Sequence, residues 1–225
     1  MVRNAIILAG GFGTRLSRVV SDRPKPLAEV GGKPILEHQV EQLLRHGVYA
    51  VRLSLHHKAD QIISFCELKW PGKCEYIVEE KPLGTGGGIK FASAGIKEPF
   101  LVVNGDSLSD AALDKFMENT QNTIMCTYLE DAREFGLLEI HNGKVLSFRE
   151  KPEKKISGFV NCGVYLLEPS VFDGISQESF MIEKDVFPRL AEEGKLHAFI
   201  HDGYWIDAGT EERYKKANED VGKWG

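Results

Sequence analysis

The amino-acid sequence predicts an α/β fold with a mostly parallel sheet flanked by helices. Short β-rich runs alternate with helical patterns through the first half of the chain, and this alternation implies right-handed crossovers between parallel strands. The pattern changes after Thr123, where two strand-like runs flank Asn142-Gly143, a strong signal for a β-hairpin. We therefore expect an antiparallel insertion or edge in the second half of the sheet.

Each element follows from the local hydrophobic period and from the turn residues between the runs. The expected elements, in chain order, are a strand at Ala5–Ala9, a helix from about Ile35 to Arg45, a strand at Ala50–Leu55, a helix near Asp60–Phe65, a strand at Glu75–Val78, a helix at Gly87–Ala94, a buried strand at Phe100–Val103, and hairpin strands at Leu137–Ile140 and Lys144–Phe148.

Composition bounds the class of protein. Of the 225 residues, 42% are hydrophobic and 27% charged, which is typical of a soluble globular protein that buries its own core. We expect one domain over residues 1–225, because no repeat, linker or composition shift marks a boundary. The formal net charge of −5 argues against a nucleic-acid partner, which usually requires a net basic face.

The cysteines and the apolar runs bear on the compartment. Cys66, Cys74, Cys126 and Cys162 are scattered, without metal-ligand spacing or a compact disulfide framework. The apolar run at the N-terminus is too brief for a signal peptide, and no stretch is long and apolar enough to span a bilayer. We expect reduced thiols in a cytoplasmic protein that has no membrane partner.

The loop after the first strand, Gly10-Gly11-Phe12-Gly13-Thr14-Arg15, is the most informative segment. Its glycines allow backbone N–H groups to approach a phosphate, and Arg15 adds charged donors. The loop should lie beyond the carboxyl ends of the strands, where open α/β sheets bind ligands. Leu16 stands where the dinucleotide fingerprint has its last glycine, and the P-loop ending is absent. Phosphate binding is the favoured interpretation, and a tight turn that tolerates glycine is the alternative.

Lys25 is the second candidate phosphate ligand. Pro24 and Pro26 fix the backbone on either side of it. Rigid flanks suggest a point charge directed at an anion, whereas a solvated turn is the alternative. The glycine loop and this lysine together make a more specific pattern than either one alone.

These segments resemble the sugar 1-phosphate nucleotidyltransferase family, which makes nucleotide sugars. The family signature is a strand with L-A-G-G-x-G-T-R-L followed by P-K-P-L, and Leu8–Leu16 and Pro24–Leu27 match it. Further matches follow in order at Glu80–Gly86, Asn104–Asp106, Glu150–Pro152, Asn161–Tyr165 and Tyr204–Asp207. The resemblance covers nearly the whole chain and implies a Rossmann-like core with a small antiparallel sugar-binding insertion.

The resemblance implies a role for each matched segment. The nucleotide-binding residues would be Leu8, Ala9, Gly10, Gly11, Gly13, Thr14, Arg15, Lys25, Glu80, Pro82, Thr85, Gly86, Asn104 and Asp106. The sugar-phosphate-binding residues would be Gly136, Glu150, Lys151, Asn161 and Tyr165. Arg15, Lys25 and Asp106 would be catalytic. A solvated strand end remains the alternative for Lys151, as does a flexible loop for Thr85–Gly88.

Two aspartates are the candidate metal ligands. Asp106 follows the buried run Phe100–Val103, and Asp207 follows Tyr204-Trp205-Ile206, so each comes at the end of a strand. Mg²⁺ needs only one or two carboxylates besides phosphates and water. Either aspartate alone would more often be an N-cap or turn residue, and the resemblance favours the metal role for both.

No serine, cysteine or histidine nucleophile is evident, and His56 and His57 should point to opposite faces of a strand. Nucleotidyl transfer needs none, because a sugar phosphate oxygen is already anionic. We predict a Mg²⁺-dependent displacement in which a sugar 1-phosphate attacks the α-phosphorus of a nucleoside triphosphate, and catalysis is by positioning and electrostatics.

Substrate choice is less constrained by the sequence. The segment Pro82–Gly87 is most similar to guanylyltransferases that act on heptose or mannose 1-phosphate, which favours GTP. Uridylyltransferases for hexose or muramate-type sugars and a catalytically silent sugar-nucleotide sensor are the alternatives. A glycosyltransferase would need an Asp-x-Asp motif, which residues 106–110 do not provide. The oligomeric state stays open, and a homodimer is compatible with the sequence.

Overall fold

The structure, a computed structural model, describes residues 2, 4–16, 19, 20 and 22–223. The strands of the described chain are β1 (Asn4–Leu8), β2 (Glu29–Val30), β3 (Lys33–Pro34), β4 (Ala50–Leu55), β5 (Cys74–Val78), β6 (Phe100–Asn104), β7 (Ser107–Ser109), β8 (Thr123–Leu129), β9 (Gly136–His141), β10 (Lys144–Glu150), β11 (Gly158–Leu167), β12 (His197–Ile200) and β13 (Trp205–Asp207). The α-helices are α1 (Ile35–Arg45), α2 (Ala59–Lys69), α3 (Gly84–Ala92), α4 (Leu113–Phe116), α5 (Phe187–Glu192) and α6 (Glu211–Glu219).

Nine of these strands form one sheet in the order β5-β4-β1-β6-β11-β8-β12-β10-β9. The first four are parallel to one another. Beyond them β11 pairs antiparallel with β6 and β8, and β9 with β10 forms the predicted antiparallel hairpin. The α/β fold with flanking helices and an antiparallel region late in the chain is therefore confirmed.

Alternate residues of β1 explain why helices cover both faces of the sheet. Ala5 and Ile7 pack in one core cluster with side chains of α1 and α2, and Ile6 packs in a second with side chains of α3 and α5. This is the two-residue period of a strand that is buried on both faces. Among the described residues, no helix combines the length and apolar character needed to cross a membrane.

The strand order also locates a binding crevice. The chain leaves β1 for β4 on one side and later returns to β6 on the other, so the order reverses at β1. In open α/β sheets the crevice beyond the carboxyl ends of the strands at such a reversal holds the ligand. The loops after β1, β4 and β6 meet at this place.

Two details differ from expectation. Helix α3 begins at Gly84 rather than at Gly87, because the N–H groups of Gly86 and Gly87 both donate to the carbonyl of Phe180 and so extend the ordered turn. The rings of His56 and His57 both contact Phe12 instead of pointing to opposite faces, since β4 ends at Leu55 before the two histidines.

Candidate active site

A cavity of about 470 Å³ lies at the carboxyl edge of the parallel strands. Twelve of the fourteen residues expected to bind nucleotide line it: Leu8, Ala9, Gly10, Gly11, Gly13, Thr14, Arg15, Lys25, Pro82, Thr85, Asn104 and Asp106. The two outside its lining are Glu80, which is exposed, and Gly86, which is buried in α3. The structure thus brings together segments that lie up to about half the chain apart.

The glycine loop is held at both ends and open in the middle. The N–H of Ala9 donates to the carbonyl of Ser54, and the N–H of Leu16 to that of Gly13. Within the described part of the chain, the N–H groups of Gly10, Gly11 and Gly13 have no acceptor. Unpaired N–H groups facing a cavity are suited to bind an anion.

Gly13 explains how the loop and Lys25 come together. Its φ of +63° lies in the left-handed region that favours glycine. A Cβ at this position would also lie 3.1 Å from the Cβ of Lys25. Lys25 itself begins a 3₁₀ turn that is closed by hydrogen bonds from Leu27 and Ala28 to the carbonyls of Pro24 and Lys25. The lysine backbone is therefore fixed, as its flanking prolines predict.

Pairing between β7 and β13 brings the two aspartates together. Asp106 directly precedes β7, and Asp207 is the last residue of β13, opposite Ser107 in the antiparallel register. The N–H of Ala208 also donates to the carbonyl of Asp106. Two carboxylates that are far apart in the sequence thereby become neighbours, with Asp106 in the lining of the cavity and Asp207 outside it.

Positive charge surrounds this pair. Lys25 Nζ lies 2.5 Å from Asp106 Oδ2, and Arg213 donates to Asp207 Oδ1 at 3.3 Å. Burial alone would raise the pKa of Asp106, but the charge and hydrogen bond of Lys25, with the charge of Arg15, hold it below its usual value. Burial and the charge of Asp106 together raise the pKa of Asp207, against the opposing charges of Arg213 and Lys25.

This donor set fits Mg²⁺. The two carboxylates are close enough for the charge of one to shift the pKa of the other, and carboxylate oxygens are the ligands this ion takes from proteins. Among the described residues there is no group of three or more His, Cys, Asp or Glu side chains that could hold a metal. A site of two carboxylates is sufficient when substrate phosphates and water complete the coordination.

A buried glutamate also belongs to the cavity, and it is Glu79 rather than the Glu80 expected from the sequence. Glu79 is 8% exposed and lines the cavity. Its carboxylate accepts hydrogen bonds from Ser54 Oγ at 2.7 Å and from the Leu83 N–H at 3.0 Å. No local pattern separates the two glutamates, because both follow β5, which ends at Val78, and only burial distinguishes Glu79 from Glu80.

The glycine run at Gly84–Gly87 is packed rather than open. A Cβ at Gly86 would collide with the ring of Phe180, and one at Gly87 with the carbonyl of Glu178. The glycines therefore let the segment at 178–182 lie directly on the first turn of α3. The flexible-loop alternative for Thr85–Gly88 does not describe this segment.

The expected sugar residues form a second cluster, next to the cavity but outside its lining. Asn161 Nδ2 donates to the Tyr165 hydroxyl at 2.9 Å, and Asn161 Oδ1 accepts from the Gly163 N–H. Burial raises the pKa of the Tyr165 hydroxyl, and the nearby side chains of Asn161 and Asn104 oppose that shift. The register of β11 against β8 shifts between Asn161 and Tyr165, and Gly163 has φ +73° there. This bulge turns the polar side chains toward Asn104.

Gly136, Glu150 and Lys151 lie where β9 and β10 pair. Gly136 stands opposite Glu150, and a Cβ on it would meet the Phe148 ring. Lys151 has φ +46°, uncommon for a residue other than glycine. Its N–H donates to the carbonyl of Phe135. Strained backbone of this kind often marks a functional position.

Glu183 connects the cavity with the cluster of expected sugar residues, and no pattern in the sequence predicted it. It lies on a π-helical turn, Ile182–Val186, a feature frequent at functional sites. Thr85 Oγ1 donates to its carboxylate at 2.5 Å and accepts from the Ile182 N–H. Burial raises the pKa of Glu183, the hydrogen bond from Thr85 opposes that shift, and the charges of Glu150 and Lys151 act on it as well.

Comparison with known proteins gives a consistent result. A family model described as "Nucleotidyl transferase" matches residues 4–223. A mannose-1-phosphate guanyltransferase of Aspergillus oryzae is 34% identical over 219 residues, covering 91% of this chain and 60% of that protein. A probable mannose-1-phosphate guanylyltransferase of Oryza sativa is 37% identical over 225 residues, covering 93% of this chain and 62% of that protein.

A solved structure matches nearly the whole chain. The crystal structure of HddC from Yersinia pseudotuberculosis complexed with GMP-PN has a TM-score of 0.84 and 36% identity, covering 98% of this chain and 100% of that one. By contrast, the chain spans about 60% of the length of the curated relatives above. The likeness to HddC therefore extends over the full fold described here.

Proposed function

The chain belongs to the nucleotidyl transferase family, and from that premise we propose that it condenses GTP with a sugar 1-phosphate of the heptose or mannose type, giving a GDP-sugar and pyrophosphate. The observation that carries this proposal is the single cavity in which the glycine loop, Arg15 and Lys25 face Asp106. Cationic donors and a carboxylate that can hold a metal are what transfer at a phosphate requires.

In the proposed reaction an oxygen of the sugar 1-phosphate attacks the α-phosphorus of GTP, and pyrophosphate leaves. The free N–H groups of the glycine loop and the Arg15 guanidinium bind the triphosphate. Asp106 and Asp207 would hold Mg²⁺, which supplies positive charge to the phosphates. Lys151 and Glu150 would bind the sugar phosphate and a sugar hydroxyl, and Asn161 the sugar. No residue must act as a nucleophile, because the attacking phosphate oxygen is already charged.

The choice of GTP is supported by the Glu79 carboxylate, which lines the same cavity as the proposed phosphate-binding groups. Guanine presents two adjacent N–H donors on one edge, and a carboxylate offers two acceptors. Adenine presents an acceptor at the same ring position and would face the carboxylate unfavourably. The names of the relatives from Aspergillus oryzae and Oryza sativa, which are guanyltransferases, agree with this choice.

The test is a pyrophosphate-release assay of four nucleotides against mannose, heptose, glucose and muramate-type 1-phosphates. We expect turnover with GTP and with mannose or heptose 1-phosphate. Turnover with UTP but not GTP would favour the uridylyltransferase alternative and reject GTP as the nucleotide substrate. Tight nucleotide binding without pyrophosphate release for any pair would favour the silent sensor and reject the enzyme.

The proposal places the enzyme in the cytoplasm and leaves room for a homodimer. All four cysteines are buried and unpaired, which suits a reducing compartment. The mass of the purified protein in solution, measured by light scattering, decides between monomer and dimer.

A further inference from the structure

Lys25 forms an ion pair with Asp106 and also lines the cavity proposed to bind nucleotide. Its Nζ lies 2.5 Å from Asp106 Oδ2, with 13% of the lysine side chain exposed. It also faces the cavity where the phosphates of a nucleotide would lie. The ammonium group thus bonds a proposed metal ligand and also borders the proposed phosphate site.

The ammonium group also lies near Asp207, although among the described residues it forms an ion pair only with Asp106. A Cβ on Gly209 would lie 3.1 Å from Lys25 Nζ and would collide with the Asp207 carboxylate. Gly209 therefore lets the lysine reach in beside Asp207, and its charge acts on that carboxyl as well as on Asp106. Lys25 occupies the place where a cation is needed.

Two cations cannot share this place without cost. Asp106 and Asp207 repel each other in a partly buried setting, so nearby positive charge stabilises them. A divalent ion that bound there while Lys25 stayed would meet a positive charge at close range. Phosphates in the cavity would offer the lysine another anion, and the carboxylates would then be free for the metal.

We propose that Lys25 is the counter-ion of Asp106 and competes with the divalent cation for this carboxylate. The lysine leaves Asp106 for the phosphates when nucleotide and metal bind. The part that concerns nucleotide rests on the function proposed above, whereas the competition with metal does not. It follows that the nucleotide-free protein binds divalent cations weakly and that removing the lysine charge strengthens that binding.

The test measures Mn²⁺ binding directly, by the electron paramagnetic resonance signal of free Mn²⁺, with no nucleotide or sugar present. Lys25→Met keeps the length of the side chain and removes its charge. We expect it to bind Mn²⁺ at least about tenfold more tightly than the wild-type protein. Equal or weaker binding by a folded Lys25→Met protein overturns the proposal.

Two controls separate competition at the site from a general effect of charge. Lys33→Met removes the same charge from a lysine outside the cavity that pairs with Glu41, and it should leave Mn²⁺ affinity unchanged. Lys25→Met combined with Asp106→Asn should lose the gain, because the contested carboxylate is gone. A gain that persists in the double variant contradicts the assignment to Asp106.

Thermal melting keeps the proposal testable if Lys25→Met is unstable. Without the lysine, Asp106 lacks its counter-ion, so Mg²⁺ should raise the melting temperature of the variant more than that of the wild-type protein. An equal response of the two proteins to Mg²⁺ contradicts the proposal. Because no turnover is measured, a wild-type protein that releases no pyrophosphate would reject the proposed reaction and leave this result standing.

Discussion

The phosphate end of the cavity, around Lys25 and Asp106, and the sugar-side cluster, around Asn161 and Tyr165, are both polar. Different interactions stabilise the two regions. At the phosphate end, charged groups pair directly, as Lys25 does with Asp106 and Arg213 with Asp207. In the sugar-side cluster, the neutral side chains of Asn161 and Tyr165 share a hydrogen bond, and Asn104 lies beside them. The phosphate end resembles an ion-binding site, whereas the sugar-side cluster resembles the interior of a folded core.

The difference indicates how each end can fail. Charged pairs near solvent can exchange one partner for another, so the phosphate end can accept anions and a metal without rebuilding its backbone. A buried neutral network depends on every member, because an amide left without a partner costs free energy. We therefore expect variants at the phosphate end to lose rate, and variants in the sugar-side cluster to lose sugar affinity and stability.

The largest effect is expected from Asp106→Asn. Loss of one carboxylate charge from the phosphate end should reduce pyrophosphate release by about 10²–10³-fold, as removal of a preorganised electrostatic group does in other enzymes. The matched control is Asp110→Asn, an exposed aspartate that pairs with His201, which should retain most of the activity. Undiminished pyrophosphate release by Asp106→Asn would contradict the metal assignment.

The next effect tests recognition of the base. Glu79→Gln exchanges one acceptor oxygen for a donor, so it should lower kcat/KM for GTP by about 10–100-fold. ITP lacks the amino group of guanine and should lose less, so the preference for GTP over ITP should shrink. Glu80→Gln, at the exposed neighbour, should change neither value. If Glu79→Gln keeps the wild-type preference for GTP over ITP, this carboxylate does not recognise the base.

A smaller effect is expected from Tyr165→Phe, which removes the hydroxyl that accepts a hydrogen bond from Asn161. The Asn161 amide left without this acceptor should cost about 1–3 kcal/mol of the free energy of unfolding. If Asn161 binds the sugar, KM for the sugar 1-phosphate should rise by roughly tenfold, with little change for GTP. Tyr128→Phe, at a tyrosine that is 52% exposed, is the control. Equal rises in both KM values would place Tyr165 in general stability rather than in sugar binding.

The same contrast explains how much could be predicted from the sequence. The phosphate end depends on short contiguous segments, namely Gly10–Arg15 and Pro24–Leu27, and on Asp106 directly after a buried strand. Strand ends at one edge of a parallel sheet meet in space, so position along the chain was enough to bring these residues together. The structure places them in one cavity, as expected.

The remainder depends on contacts that no local pattern carries. Glu79 and Glu80 are neighbours of one residue type, and only burial separates them. Helix α3 begins early because its first turn bonds Phe180, far along the chain. Glu183 reaches the site through a π-helical turn whose place is set by Thr85 and Ile182, and local propensity does not specify such a turn.

The smallest predicted effect concerns Glu183, the carboxyl that lies between the cavity and the sugar-side cluster. Burial raises the pKa of Glu183 in the folded protein above its usual value, so the folded state holds this proton more tightly than the unfolded chain does. Its favourable contribution is therefore complete at low pH and is lost as pH rises from the unfolded pKa through the folded one. In Glu183→Gln this loss is absent. The free energy of unfolding of the wild-type protein minus that of Glu183→Gln, measured by urea denaturation, should fall by about 1 kcal/mol per pH unit across that interval and then level off.

Glu178→Gln, at an exposed carboxyl paired with Lys81, should show no such fall, because burial does not raise the pKa of that group overall. A flat difference for Glu183→Gln would mean that this carboxyl is as well solvated in the folded protein as in the unfolded chain, and the neutral character assigned to the sugar-side cluster would not extend to it.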